Sequence, residues 1–395
     1  MFFYPTKANE EDPLLLDHIE EGCKLLKEAI ENNKTIYLPQ DPDCDGITSA
    51  ALFYNYCKEV LEEKFNKEIK IEYHIPEGKE HGLSTIMDWF PEKGNDNLIF
   101  VIDASSNDYE EHKTLKERGY NICVVDHHEA PRYSENAIVI NNQLSEDYPN
   151  KALSGVGVIY KFFECWEAMY GGNSIQNYTD LAALGMISDV MVMSTLENRY
   201  FCDYGLTHIH NKFFLELIKK QAYSLFGIST DSWSDIYLKE LTQIGVAFYI
   251  TPLINALIRV GNSLEKERLF EAFIKPDVKV PSTKRGEKGL METIATQSAR
   301  NCTNAKSKQT RERDKAAELL DIQILENNLE ENKILILNAD ELNVNNTLTG
   351  LCAMNVAAKY KKPVMLGRIT PDGKEMKGSI RNFDGSPLKD FKAFL

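Results

Sequence analysis

Val124-Val125-Asp126-His127-His128-Glu129-Ala130 decides how this chain is read. Two β-branched residues close a short apolar run, and an acid and two imidazoles follow at once. That pattern is a buried strand delivering metal-binding or acid–base groups to its carboxyl end. Taken alone, the triplet is equally compatible with a polar turn. Three further apolar runs settle the choice, because each also ends in acids. Ile36-Tyr37-Leu38 precedes Asp41-Pro42-Asp43-Cys44-Asp45-Gly46, Phe100-Val101-Ile102 precedes Asp103, and Leu184-Gly185-Met186-Ile187 precedes Asp189.

Outward from these runs, Thr35–Leu38, Lys70–Ile75, Leu98–Ile102, Ile122–Val125 and Ala137–Ile140 read as strands. The segments between them carry helical patterns, beginning with residues 14–32, whose apolar face is Leu15, Ile19, Cys23, Leu26 and Ile30. Repeated βα alternation predicts an α/β fold: a mainly parallel sheet with helices on both faces, binding its ligand at the strand carboxyl ends. In the loop 41–46 three acids alternate in five residues. An extended backbone points all three the same way, and like charges so placed repel unless a cation sits among them. A divalent metal is the simplest compensation; an exposed acidic turn capping a helix over Ile47–Glu62 is the alternative.

Ser154-Gly155-Val156-Gly157 introduces a helix to about Tyr170. Its glycines suit a phosphate contact or close helix packing. Tyr178–Val190 is helical in period, and Asp189 at its far end reads as a last metal ligand or as a simple helix end. Residues 205–325 read as predominantly helical, with Asn255 and Arg259 set into the apolar run 250–259. Lys279–Lys315, which includes Lys288, is locally basic; it suits a phosphate backbone or a solvated linker and helix. From Lys333 the pattern returns to strand, helix, strand: 334–337, 349–359, 363–366. Lys377-Gly378-Ser379-Ile380-Arg381 is a third strand with Ser379 and Arg381 on one side. Glycine, hydroxyl and guanidinium together suit a phosphate, and a plain surface strand is the other reading.

A chain of 395 residues is too long for one ordinary core. The expected division is 1–204, 205–325 and 326–395. With 43% hydrophobic and 27% charged residues the chain is expected to fold. The opening Met1-Phe2-Phe3-Tyr4-Pro5 is too short for a signal-peptide core, and no apolar run is expected to approach membrane-spanning length. Eight scattered cysteines without a CxxC pair imply reduced thiols and a cytoplasmic protein. Cys44 reads as a small side chain in a turn. A net charge of −15 argues against a protein that coats duplex DNA, yet leaves a nuclease open, since a metal site handles phosphates on an acidic body.

These motifs resemble the DHH phosphoesterase superfamily, and within it the RecJ-like single-strand-DNA-specific exonucleases, from about residue 30 to the end. Asp41–Gly46 resembles the first family motif, Asp103 the second, Asp126-His127-His128 the third and Ala183–Val190 the fourth. Glu197-Asn198-Arg199 is also RecJ-like. Asn255-Ala256 and Arg259 resemble a motif lining the DNA channel, with Leu253 in place of its first arginine and Ile258 in place of its glycine. Gly378-Ser379-Ile380-Arg381 resembles the phosphate-gripping motif of the DHH-associated domain. Pro39 stands where some relatives open the first motif with histidine. The glycine- and histidine-rich motif that usually follows the Gly-Ser-x-Arg strand is missing, so a truncated or reduced form is expected.

The resemblance implies a parallel-sheet DHH domain, a helical connector and a smaller α/β DHH-associated domain. It implies two-metal phosphodiester hydrolysis with Mn²⁺ or Mg²⁺, and Mn²⁺ is favoured because nitrogen joins the oxygens. On this pattern Asp103 bridges two ions, Asp43 holds one, and Asp45, His127 and Asp189 hold the other. Asp41 is a further ligand. His128 faces the phosphate as charge stabiliser or acid, and Asp126 orients its neighbours. Gly378, Ser379, Arg381, Asn255 and Arg259 bind substrate. The implied activity is 5′-to-3′ release of 5′-mononucleotides from single-stranded DNA. A phosphodiesterase for short oligonucleotides or cyclic dinucleotides, a pyrophosphatase and a non-catalytic RecJ-like subunit are the competing readings. No membrane is implied, and replication or repair proteins as partners stay open.

Overall fold

The structure, a computed structural model, describes residues 5–76, 78, 81–287, 289–342, 346–388 and 391; Met1–Tyr4 and Lys288, named above, lie outside the described residues. Five strands form one all-parallel sheet: β1 (Ile36–Pro39), β2 (Ile71–His74), β3 (Leu98–Ile102), β4 (Asn121–Asp126) and β5 (Ile138–Asn141), in the order β2-β1-β3-β4-β5. The helices threaded through it are α1 (Ile19–Glu31), α2 (Cys44–Asn55), α3 (Glu62–Phe65), α4 (Tyr109–Glu117), α5 (Gly155–Tyr170), α6 (Thr179–Ser188) and α7 (Leu196–Thr207). A π-helical stretch, Tyr56–Leu61, joins α2 to α3.

Strand alternation explains why β3 and β4 read as continuous apolar runs: both faces are buried. On one face Phe100 stacks on Phe53 of α2 and meets Phe162 of α5 edge-on, with ring centroids 4.3 and 5.3 Å apart. On the other, Tyr37, Ile99, Val101, Ile122, Val124 and Val139 pack with Leu115 of α4 and with Leu83 and Phe90 from the preceding loop. Fully burying each large aliphatic or aromatic side chain contributes about 1.5–3 kcal/mol. This two-sided core fixes the strand ends, and the acids stand on those ends.

Beyond α7 run α8 (Lys212–Lys220), α9 (Ala222–Phe226), α10 (Gln243–Tyr249), α11 (Thr251–Val260) and α12 (Ser263–Ile274). A two-stranded hairpin follows, β6 (Lys279–Pro281) against β7 (Met291–Thr293), and then the 33-residue α13 (Ile294–Glu326). The hairpin corrects the reading of this segment as linker and helix. An ion pair docks it on α13: the guanidinium of Arg300 donates to both carboxylate oxygens of Glu292 at 2.6 Å.

The remaining elements are β8 (Leu335–Asn338), α14 (Thr349–Tyr360), β9 (Val364–Ile369) and β10 (Met376–Arg381), in the sheet order β10-β9-β8. β8 and β9 are parallel, and β9 and β10 form a hairpin. Thr370-Pro371-Asp372-Gly373 makes its turn, with Gly373 at φ 70°. The chain divides into two compact units: residues 1–258 with 262–301, and residues 259–261 with 302–395.

Three further expectations change. Helix α1 begins at Ile19, because His18 takes a left-handed conformation (φ 64°) and Pro13–Leu15 is a short 3₁₀ turn. The acidic loop is not extended: the helix starts at Cys44, so Asp43 caps it and Asp45 lies in its first turn. The eighteen residues Gln243–Val260 are apolar enough by composition to cross a membrane, contrary to the expectation of no such run. They are half buried in the fold and divided at Ile250 between α10 and α11.

Candidate metal centre

Backbone N–H groups set the direction of Asp43, Asp45 and Asp126. Asp43 Oδ1 accepts the Gly46 N–H at 2.9 Å as the N-cap of α2. Gly46 is required there, since a Cβ would fall 2.5 Å from Asp41 Cβ. Asp45 is 1% exposed and turns toward the first turn of α5. Its carboxylate accepts the Gly155 N–H at 2.7 Å, the Val156 N–H at 3.2 Å and the Ser154 hydroxyl at 3.1 Å. The Ser-Gly-x-Gly segment is therefore an anion-binding helix start, but its anion is a carboxylate of this chain; the phosphate reading is corrected.

Asp103 ends β3 in a left-handed conformation, φ 66°. Asp126 ends β4, fully buried. Its Oδ1 accepts the His127 N–H at 2.7 Å and lies 2.8 Å from His128 Nδ1, while Oδ2 accepts the Ser106 N–H at 3.0 Å. These bonds leave Asp126 committed to orienting both histidines. His127 Nε2 comes within 3.1 Å of Asp103 Oδ1 and 3.7 Å of Asp189 Oδ2. Asp189 follows α6, and the Asn198 amide braces the next loop by donating to the Val192 carbonyl at 3.0 Å. Glu197 instead faces buried Lys161, 3.2 Å away, and accepts from Tyr148 and Asn150.

Three sets of side chains bring ligand atoms within 4.8 Å of one another: Asp41, Asp43 and Asp103; Asp45, His127 and Asp189; and Asp103, His127 and His128. Asp103 joins the first set to the third, and His127 joins the third to the second. All six candidate metal ligands and both catalytic candidates thus come together at one end of the sheet. His81 joins them unforeseen, its Nδ1 2.6 Å from Asp41 Oδ1. It lies in the loop after β2, well past the end of that strand, so strand-end reasoning did not reach it.

The electrostatics ask for cations. Burial, reinforced by neighbouring acids, pushes Asp45 and Asp103 well above the carboxylate range and Asp41 and Asp189 up to about 6. Burial pulls His127 down to about 4, as a neutral nitrogen ligand requires. Asp103 Oδ1 is buried without a hydrogen bond, an oxygen with capacity to spare. Mixed carboxylate and imidazole donors suit Mn²⁺ or Mg²⁺.

A pH effect follows. Each raised acid holds its proton more tightly folded than unfolded, so its contribution to stability is present below pH about 4 and lost as pH rises through the folded value. In excess chelator the melting temperature is expected to fall between pH 5 and pH 8. Added Mn²⁺ should raise it most at pH 8, by about 2.7 kcal/mol at one hundred times Kd. A chelator-insensitive melting curve would remove the metal reading.

The substrate candidates lie on other elements of the chain. Asn255 and Arg259 are one turn apart on α11. Gly378, Ser379 and Arg381 lie on β10. Ser379 and Arg381 converge on the start of α14, where a Cβ at Gly350 would lie 2.8 Å from an Arg381 guanidinium nitrogen and 3.3 Å from Ser379 Oγ. Gly378 has a backbone reason as well: a Cβ there would strike the Leu366 carbonyl at 2.1 Å, so pairing with β9 already requires glycine.

Residues 34–186 match the DHH family, N-terminal domain. The chain is 37% identical over 383 residues to a Bacillus subtilis protein named as the SPbeta prophage-derived single-strand DNA-specific exonuclease YorK, covering 96% of this chain and 63% of that protein. It is 28% identical over 283 residues to the single-stranded-DNA-specific exonuclease RecJ of B. subtilis, covering 69% of this chain and 33% of RecJ. It thus spans less than two thirds of the length of either relative. A crystal structure of exonuclease RecJ bound to manganese superposes with a TM-score of 0.68 at 21% identity, covering 90% of this chain and 83% of the other. RecJ of Thermus thermophilus in complex with Mn²⁺ gives 0.64 at 20% identity, over 89% of this chain and 46% of that one. At these identities the likeness is one of fold.

Proposed function

We propose that this chain, RecJ-like and built on a DHH-family domain, is a metal-dependent phosphodiesterase that degrades single-stranded DNA from its 5′ end, releasing 5′-mononucleotides. The observation that carries the proposal is the linked cluster of Asp41, Asp43, Asp45, Asp103, His127 and Asp189, whose crowded carboxylates repel one another without cations. In this reading Asp41 and Asp43 would hold one ion, Asp45, His127 and Asp189 a second, and Asp103 would serve both. Two bound divalent ions supply a water activated for attack and stabilisation of the leaving oxygen. The chain's own residues do the rest. His128, bonded to Asp126 through Nδ1, has its pKa raised to about 9 in the metal-free chain, first by that bond. Protonated, it would donate a charge-assisted hydrogen bond to a phosphate oxygen. Asp126 fixes that ring and cannot itself turn to an ion.

The test is digestion of labelled DNA and RNA oligonucleotides of two to thirty nucleotides with each end blocked in turn. Single nucleotides from unblocked 5′ ends of long DNA strands support the proposal. Hydrolysis confined to dinucleotides or to RNA would make this a short-oligonucleotide phosphodiesterase.

Arg381 gives a second test. A forked guanidinium with the Ser379 hydroxyl beside a helix start suits a terminal phosphate. Arg381→Ala is expected to raise KM about 10-fold to 100-fold, from about 1.5–3 kcal/mol for a charge-assisted contact. It should narrow the preference for 5′-phosphate over 5′-hydroxyl strands and leave Mn²⁺ affinity alone. Lysine should rescue only partly, being a point charge and not a fork. An unchanged end preference would place the phosphate pocket elsewhere.

A further inference from the structure

Ser105 has two unfavourable features that the fold does not require. Its backbone is left-handed, at φ 80°, where glycine alone sits without strain. Its hydroxyl is buried, the residue being 8% exposed, and has no hydrogen-bond partner. The adjacent Ser106 shows what the architecture does need: its N–H donates to Asp126, and its hydroxyl accepts from the Asn141 amide at 2.8 Å. A glycine at 105 would make the same turn with neither drawback. Strain and an orphaned polar group at one residue point to function.

The surroundings say which function. Ser105 lines a pocket of about 560 Å³ bordered by Asp126 and His128, so the pocket opens beside the metal centre. Its other walls include His81, Asn107, Asp108 and Glu129. Two of these are acids, which disfavours a second phosphate there. A neutral partner rich in donors and acceptors fits better, and a nucleotide offers one in its sugar and base.

We propose that Ser105 is a specificity residue whose hydroxyl hydrogen-bonds the sugar–base portion of the nucleotide whose phosphate lies at the metal centre. The inference rests on the phosphodiesterase reading for the position of that phosphate. It does not involve Ser105 in bond breaking.

The test uses the full chain loaded with Mn²⁺, with Ser105→Ala and Ser105→Gly. Each is assayed on a thymidine dinucleotide and on bis(4-nitrophenyl) phosphate, a phosphodiester with no sugar or base. In both variants the ratio of kcat/KM for the dinucleotide to that for the nitrophenyl ester is expected to fall about 10-fold, the loss typical of one hydrogen bond. The two should differ in stability, Ser105→Gly melting above Ser105→Ala because only glycine relieves the backbone. An unchanged ratio overturns the proposal. So does an equal loss on both substrates, which would assign Ser105 to the metal centre itself. If the wild type cleaves neither substrate, the phosphodiesterase reading fails first. The specificity proposal is then decided by calorimetry with thymidine 5′-monophosphate, and equal affinity in wild type and Ser105→Ala overturns it.

Discussion

Asp103→Asn is expected to leave a folded chain whose turnover on single-stranded DNA is about 10³-fold or more below the parent. Asparagine keeps the size of the side chain and removes its charge. In the proposed reading that charge serves two ions at once, through Asp41 and Asp43 on one side and His127 on the other. A unit charge about 4 Å from a cation at an effective dielectric of 20 is worth about 4 kcal/mol, or about three powers of ten in rate. The same substitution should have the opposite effect on the metal-free protein. Burial and the charges of Asp45, Asp43 and Asp41 push the Asp103 carboxyl well above its ordinary range, so ionising it weakens the fold. At pH 8 in chelator Asp103→Asn should melt above the parent, and the gap should close as pH falls toward 4. Lower activity joined to higher metal-free stability is hard to obtain from mere misfolding. Turnover within tenfold of the parent, or a variant less stable in chelator at pH 8, would remove Asp103 from the centre.

How much of this was legible in the sequence depended on whether each residue's role was local. The strands β3 and β4 are buried on both faces, so Leu98–Ile102 and Ile122–Val125 stand out as apolar runs, and their ends carry Asp103 and Asp126. The ligand candidates could be gathered because strand ends and one helix end share an edge. Geometry within the loop 41–46 was not legible: alternation suggested three parallel acids, whereas a helix starting at Cys44 turns Asp45 away to α5. Nor was His81 legible, since its partner Asp41 is forty residues away and no periodicity links them. The hairpin of β6 and β7 escaped because its strands are three residues long and mostly charged or exposed, and the Arg300–Glu292 pair that docks it on α13 joins residues whose pairing no periodicity announces. Gly378 has a backbone reason to be glycine that was not legible, because a glycine required by a neighbouring backbone and one required by a ligand look alike in sequence.

Gly155→Ala makes the strongest demand on the centre, because it adds one methyl group and no charge. A Cβ at residue 155 would fall 2.3 Å from Asp103 Oδ1 and 2.6 Å from Asp103 Cβ and Cγ. Neither side can yield easily. Asp103 is tied to β4 by its own N–H, which donates to the Val125 carbonyl at 2.9 Å, and its left-handed backbone leaves few alternatives. Residue 155 is tied to Asp45 by the N–H that donates at 2.7 Å. If α5 retreats, Asp45 loses its donors; if Asp103 swings away, the two ligand sets lose their shared member. Either adjustment separates groups that must meet within an ångström or so, and misplacement of that size costs about 10²-fold in rate. Activity is therefore expected to fall about 10²-fold to 10³-fold, and the rise in melting temperature on adding Mn²⁺ should shrink with it. Gly157→Ala is the contrast. It lies in the same first turn of α5, and its added methyl meets the Leu153 and Met186 side chains instead of a site carboxylate. Those flexible ends can shift, at an overpacking cost of about 1–3 kcal/mol in stability. That variant should melt lower than the parent and still gain the parental increment from Mn²⁺. Equal responses to Mn²⁺ in the two variants would mean that contact between the start of α5 and Asp103 does not shape the centre.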